Sequence, residues 1–214
     1  MEDVGTAGYQ SEKKTLHASE QTRPDVALAR QAWQAQQPDV EIEQLVFLDE
    51  TWASTNMTPT RGRSPIGTRC VGQAPYGHWK TTTVVCALRS EGLVAPWVID
   101  GPINGQTFRT WVEEVLVPVL QPGDIVVLDN LGSHKVAGIE EAMAAAGAQL
   151  RFLPPYSPDL NPIEQVFSKM KTHLRKAAKR TIEELWSIIG KLMDDFAPDE
   201  CERYIRHAGY GQST

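Results

Sequence analysis

Apolar residues along the chain fall into two rhythms. Between residues 45 and 100 they form strand-like runs: LVFLDE (45–50), KTTTVVCALR (80–89) and GLVAPWVID (92–100) are six to ten residues long and mostly rich in β-branched types. Three strands in succession predict an antiparallel meander, the third weakened by Pro96, which cannot donate to a sheet ladder. Between 107 and 120, Phe108, Trp111, Val112, Val115, Leu116 and Val119 recur at helical spacing, with Pro118 set to bend or end the helix. From Gly123 strand and helix alternate, which calls for parallel pairing: DIVVLDN (124–130), a helix from about 135 to 146 closed by Gly147, then QLRFL (149–153). A helix from 163 to about 179 puts Ile163, Phe167, Met170 and Leu174 inside, with Lys169, Lys171, Lys176 and Lys179 largely outside. Thr181 with Glu184 is a capping-box pattern opening a further helix through Met193. At the start, residues 1–22 lack periodicity; Pro24 then suits a first helical position, and Val26, Ala29, Ala32 and Trp33 share one stripe of a helix ending near Gln36. The element order β-β-β-α-β-α-β-α, with appended helices, predicts an α/β fold.

Composition narrows the class. At 214 residues, 41% hydrophobic and 22% charged, the chain suits one globular domain and excludes a disordered, coiled-coil or collagen-like protein. No apolar run approaches the ~18 residues of a membrane helix, and the opening MEDVGTAGYQSEKK lacks the basic start and apolar stretch of a signal peptide. The expectation is a cytoplasmic protein without a membrane partner. Cys70, Cys86 and Cys201 are odd in number and form no C-x-x-C pair, so all three are expected as reduced packing residues. The net charge of −6 hides an uneven distribution: residues 51–90 hold five basic side chains and no acid, and residues 151–180 hold seven basic against two acidic, ending in KMKTHLRKAAKR. Each block can hold phosphates, although either alone reads equally as a solvated face.

Two apolar runs end in acid, Val46-Phe47-Leu48-Asp49 and Ile125-Val126-Val127-Leu128-Asp129. An acid at the C-terminal edge of a parallel strand sits where α/β folds keep their ligands. If these two strands are neighbours, the two like charges require a cation, and oxygen donors suit Mg²⁺ or Mn²⁺. Glu164, at the start of the following helix, can reach the same edge. Three such carboxylates can hold two ions about 3.5–4 Å apart for in-line phosphoryl displacement, which is nuclease chemistry. Singly, each acid has a plainer reading: a capped strand end, an Asp-Asn turn and a charge favoured by the helix dipole. Their joint placement favours the site.

VFLDETWASTNM, GHWKTTT, DIVVLDNLGSHK and LPPYSPDLNPIEQVFSKMK, in this order, resemble the signature blocks of the DDE (Asp-Asp-Glu) transposases of the mariner-like superfamily, in the bacterial branch called insertion sequence family 630, and the resemblance spans roughly residues 13–210. Thirty-four residues separate Asp129 from Glu164, the spacing associated with that branch. The resemblance implies a ribonuclease-H-like fold, a mixed five-stranded sheet with extra C-terminal helices, in which Asp49, Asp129 and Glu164 are the catalytic, metal-binding triad for two Mg²⁺ or Mn²⁺ ions. It implies hydrolysis at transposon ends and strand transfer of the freed 3′-hydroxyl into target DNA, commonly at a TA step, whose easy unstacking aids target choice. It also implies a homodimer on DNA and a nucleoid-associated location. On this reading residues 45–196 are the catalytic domain, 1–44 a lead-in with a short helix and 197–214 a helical tail. Relatives carry helix-turn-helix units ahead of the catalytic domain; with forty-four residues before the first strand, the expectation here is a truncated or split-frame product whose end recognition comes from a separate helix-turn-helix protein. The alternatives are another ribonuclease-H-like metal nuclease or a non-catalytic DNA-binding remnant. An aspartyl phosphatase, suggested by VFLDET, lacks the acid two residues after its nucleophile, where Thr51 stands.

Around the triad, Glu50 should point to the opposite face of its strand and act indirectly if at all. Asn130 can orient a phosphate or water, and His134 can contact DNA or open its helix. Asp159 rivals Glu164, but Ser157-Pro158-Asp159-Leu160-Asn161-Pro162 reads as a turn in which Asp159 or Asn161 bonds the local backbone. Arg61, Arg63, Lys80, Lys169, Lys171 and Arg175 are the candidate phosphate contacts. Trp52, Trp79 and Tyr156 suit base stacking, although aromatic residues beside strands are usually core.

Overall fold

A computed structural model describes residues 18–130 and 136–211. Three antiparallel strands, β1 (Leu45–Ser54), β2 (Thr81–Arg89) and β3 (Gly92–Asp100), form the expected meander. Two short parallel strands, β4 (Ile125–Leu128) and β5 (Gln149–Phe152), complete a mixed sheet in the order β3-β2-β1-β4-β5, so β1 and β4 lie side by side at its centre. The helices are α1 (Pro24–Gln36), α2 (Gly105–Trp111), α3 (Ile139–Ala145), α4 (Ile163–Ala177), α5 (Ile182–Met193) and α6 (Pro198–His207). The β-β-β-α-β-α-β-α order is the ribonuclease-H-like one expected, with α5 and α6 appended. No helix among the described residues is long and apolar enough to cross a membrane.

The alternation of strand side chains divides the core. Leu45 and Phe47 of β1, Val84 and Cys86 of β2 and Val127 of β4 pack with α4, α5 and α6, whereas Val46, Leu48, Val85, Val126 and Leu128 pack with α2 and α3. The amphipathic face of α4 buries Ile163, Phe167, Met170 and Leu174 as its spacing requires. Thr181 caps α5 by accepting from the Glu184 N–H at 3.2 Å. Gly147 closes α3 at φ +78°, a conformation that favours glycine, and a Cβ there would stand 3.1 Å from the Pro122 backbone. A buried ion pair of Arg89 with Asp124 fastens the end of β2 to the start of β4, far along the strands from their acids.

Several expectations change. β1 continues through Ser54 instead of ending near Asp49, because residues 50–54 pair with β2. Pro96 does not spoil β3: the strand lies at the sheet edge, and the register shifts between Val85 and Ala87, opposite Ala95 at φ +52°. The helix expected from 107 starts at Gly105, where the Asn104 side chain accepts from the Thr107 N–H at 2.9 Å, and from Val112 it continues as a π turn and a 3₁₀ turn around Pro118. Ala29 and Ala32 of α1 are exposed; Val26 is buried, Trp33 packs partly buried against the core, and Arg30 adds polar contacts. Cys86 and Cys201 are buried, but Cys70 is exposed.

Candidate active site

The site grows out of strand parity and register. β1 and β4 pair in parallel with Leu45 beside Ile125, Val46 beside Val126 and Phe47 beside Val127. The pairing ends there, with Asp49 two residues further along β1 and Asp129 just past the end of β4. Asp49 shares the parity of Phe47 and therefore faces α4, and Asp129 opens onto the same cleft. Asp49 lies opposite Cys86 of that same face, and Glu50 lies opposite Val85 of the other, which takes Glu50 to the α2–α3 side. Glu164 stands in the first turn of α4, the helix packed on β1.

All three acids line one open cleft of about 540 Å³, together with Asn130 and a proline-rich wall from Leu153 to Pro158. Asp49 is 8% exposed. One of its oxygens accepts from the Glu50 N–H at 2.8 Å, the other from the Asn161 side-chain amide at 3.0 Å. Burial pushes its carboxyl well above the ordinary carboxylate range; the Glu164 charge adds to this, the Glu50 N–H opposes it, and the Asp129 and Glu50 charges add further. The Glu164 carboxyl is also pushed up, first by burial; the Lys171 ammonium opposes this and the Asp129 charge reinforces it. Lys171 itself is pushed down by burial, and Arg175 acts in the same direction against Glu164 and Asp49. Next to Asp49, burial pushes the Cys86 thiol up to about 12, which leaves it inert.

Among the described residues, no three Asp, Glu, His or Cys side chains come close enough to hold one ion together. The triad thus shares a cleft and an electrostatic field without converging on a point. Its donors are all oxygens, and the Asp129 charge bears on both of the other acids, so in chemistry they fit a hard divalent cation.

The remaining candidates disperse. Asn130 borders the cleft, and His134 lies outside the described residues. Lys171 sits over the Trp52 ring, 5.1 Å from its centroid, beside Arg175. Arg61 and Arg63 are exposed on the irregular segment joining β1 to β2, and Lys80 is exposed immediately before β2. Lys169 is taken up elsewhere: its ammonium bonds both Glu200 oxygens, at 2.7 and 2.9 Å, and lies over Phe196. Trp52, Trp79 and Tyr156 are exposed, not core. Asp159 is gripped by Arg30 of α1 at 2.6 and 2.9 Å. Asn161 and Arg30 are the residues the sequence reading missed. Asn161 was legible only as a turn residue, and Arg30 gives no signal, since its partner lies 129 positions away.

A 3-2-1-4-5 mixed sheet with one acid on β1, a second just past the end of β4 and a third on the helix after β5, all on one cleft, defines a ribonuclease-H-like domain. The chain belongs to the DDE superfamily endonucleases, whose family model matches residues 44–186. Among solved structures it is similar to a pre-cleavage Mos1 transpososome (TM-score 0.77, 16% identity, covering 95% of this chain and 65% of that one) and to the mariner Mos1 paired end complex with Mg (TM-score 0.78, 14% identity, 95% and 64%). The catalytic domain of Mos1 mariner transposase aligns over 92% of this chain and 93% of its own, with a TM-score of 0.61 and 13% identity. The chain therefore spans less than two thirds of the transpososome chains it matches, and nearly all of the isolated catalytic domain. No curated protein matches it in sequence.

Proposed function

We propose that the chain is a transposase catalytic domain that hydrolyses DNA phosphodiester bonds with Mg²⁺ or Mn²⁺ held by Asp49, Asp129 and Glu164, and that joins a 3′-hydroxyl to target DNA. The observation that carries this is the convergence of Asp49, Asp129 and Glu164 on one cleft where β1 and β4 run side by side, with two of the three carboxyls pushed upward. Carboxylates gathered at such a cost to one another suit a cation far better than a structural role. A divalent cation held there would supply activation of the attacking oxygen and neutralise charge on the leaving one. Family membership and the similarity to DNA-bound mariner complexes lend support. The open cleft admits a strand, and the basic stretch between β1 and β2, with Lys171 and Arg175, offers contacts to its phosphates. Water and a DNA hydroxyl are equivalent O–H nucleophiles at such a site, so one set of side chains serves both steps. Two ions, a homodimer on DNA and a helix-turn-helix partner for end recognition belong to the same proposal.

Purified protein with Mn²⁺ should nick supercoiled DNA and transfer a free 3′-end into it, and Asp129→Asn should remove both activities while leaving the folded far-ultraviolet spectrum intact. Equal nicking by wild type and Asp129→Asn would refute the site; nicking without transfer would favour another nuclease of the same fold.

A further inference from the structure

Asn161 occupies a place that packing does not explain. It is 4% exposed, and its Oδ1 is the one buried side-chain nitrogen or oxygen among the described residues without a hydrogen-bond partner. An orphaned buried carbonyl lowers stability, whereas an apolar side chain of this size carries no such cost. In return the amide grips Asp49 from 112 residues away, donating Nδ2 to Oδ2 at 3.0 Å. With the Glu50 N–H on Oδ1, both oxygens of Asp49 are held. The backbone of Asn161 meanwhile leads into α4: its carbonyl accepts from the Glu164 N–H at 3.2 Å, and its own N–H donates to the Pro158 carbonyl at 3.1 Å. One residue therefore ties the strand acid to the helix turn that bears the third acid.

We infer that Asn161 is a positioning residue that holds Asp49 and the Glu164 turn in one geometry and thereby sets the affinity of the site for a divalent cation. The inference rests on the proposed function, since it presumes that these acids bind the ion. Groups that orient a ligand in this way are typically worth 10–100-fold in metal affinity. Asn161→Leu keeps the volume, removes the donor and removes the orphaned acceptor; Asn161→Ser removes the reach to Asp49 with little steric demand.

The test is Mn²⁺ binding to the full chain, followed by the electron paramagnetic resonance of free Mn²⁺, alongside thermal unfolding of the metal-free proteins. Both variants should bind Mn²⁺ at least about tenfold more weakly, while metal-free Asn161→Leu melts at or above the wild-type temperature. Variants that bind Mn²⁺ as wild type does overturn the inference and leave the proposed function standing. Weakened binding that merely follows a large fall in melting temperature in both variants also overturns it, because a structural role then suffices. Wild type without Mn²⁺ binding overturns both.

Discussion

Asp49 carries a conflict within a single side chain: a strand of apolar neighbours buries it, while two other acids share its cleft. Both Asp49 and Glu164 are pushed above their ordinary ranges, so the folded metal-free protein binds protons more tightly than the unfolded chain does. Their contribution to stability is therefore complete below about pH 4, where free carboxyls titrate, and is lost as pH rises through the raised values. In EDTA, Asp49→Asn should gain stability relative to wild type as pH rises from 4.5 toward neutrality, since an amide has no proton to lose. Urea unfolding of the two proteins across that range measures the difference; a flat difference would mean that Asp49 is not strained by its surroundings. Saturating Mg²⁺ should abolish the gain by stabilising wild type.

At the scale of elements, the wall of the cleft is held by segments that contribute no acid. Arg30 of α1 bonds Asp159 through two nitrogens and Ser157 at 2.7 Å, Gln21 donates to the Tyr156 carbonyl at 2.7 Å, and the Tyr210 hydroxyl donates to the Leu160 carbonyl at 2.9 Å. Arg30→Met should cost about 1–3 kcal/mol, between an exposed and a buried ion pair, and should speed hydrogen exchange at the Leu160 and Asn161 amides, which close the turn onto Ser157 and Pro158. Unchanged exchange there would show that α1 does not stiffen the loop. These ties also mark where the sequence stopped being readable. Short-range signals carried through: the capping threonine at 181, the apolar stripe of α4, and the two apolar runs whose closing acids, Asp49 and Asp129, line one cleft. The extension of β1 past Asp49, the tolerance of Pro96 and the partners of Asp159 and Asn161 depend on which strand or helix lies alongside, and a pattern of spacings does not encode that. α1 shows the limit plainly: of its apolar stripe Val26 is buried and Trp33 packs on the core, yet Ala29 and Ala32 remain exposed, and a charge pair that no spacing encodes adds to the attachment.

For the molecule as a whole, the proposed binding of a polyanion has to coexist with a net charge of −6, and the uneven distribution of charge makes the two compatible. The acid-free stretch from 51 to 90 keeps Arg61, Arg63 and Lys80 exposed, so their charges are available to phosphates. Lys169 belongs to the other basic block by sequence, but its ammonium is neutralised by Glu200 and serves to dock α6 on α4. Cations that displace counterions from DNA steepen the fall of affinity with salt by about one in log–log slope each; a cation already paired within the protein does not. Binding of a DNA duplex should therefore lose about one unit of slope in Arg61→Ala and again in Arg63→Ala, to a similar extent for unrelated sequences, whereas Lys169→Ala should leave the slope unchanged and lower the melting temperature. Fluorescence anisotropy titrations from 50 to 200 mM salt distinguish these outcomes. A Lys169→Ala slope as shallow as that of Arg61→Ala would mean that the Glu200 pair opens on DNA and that α6 belongs to the binding face.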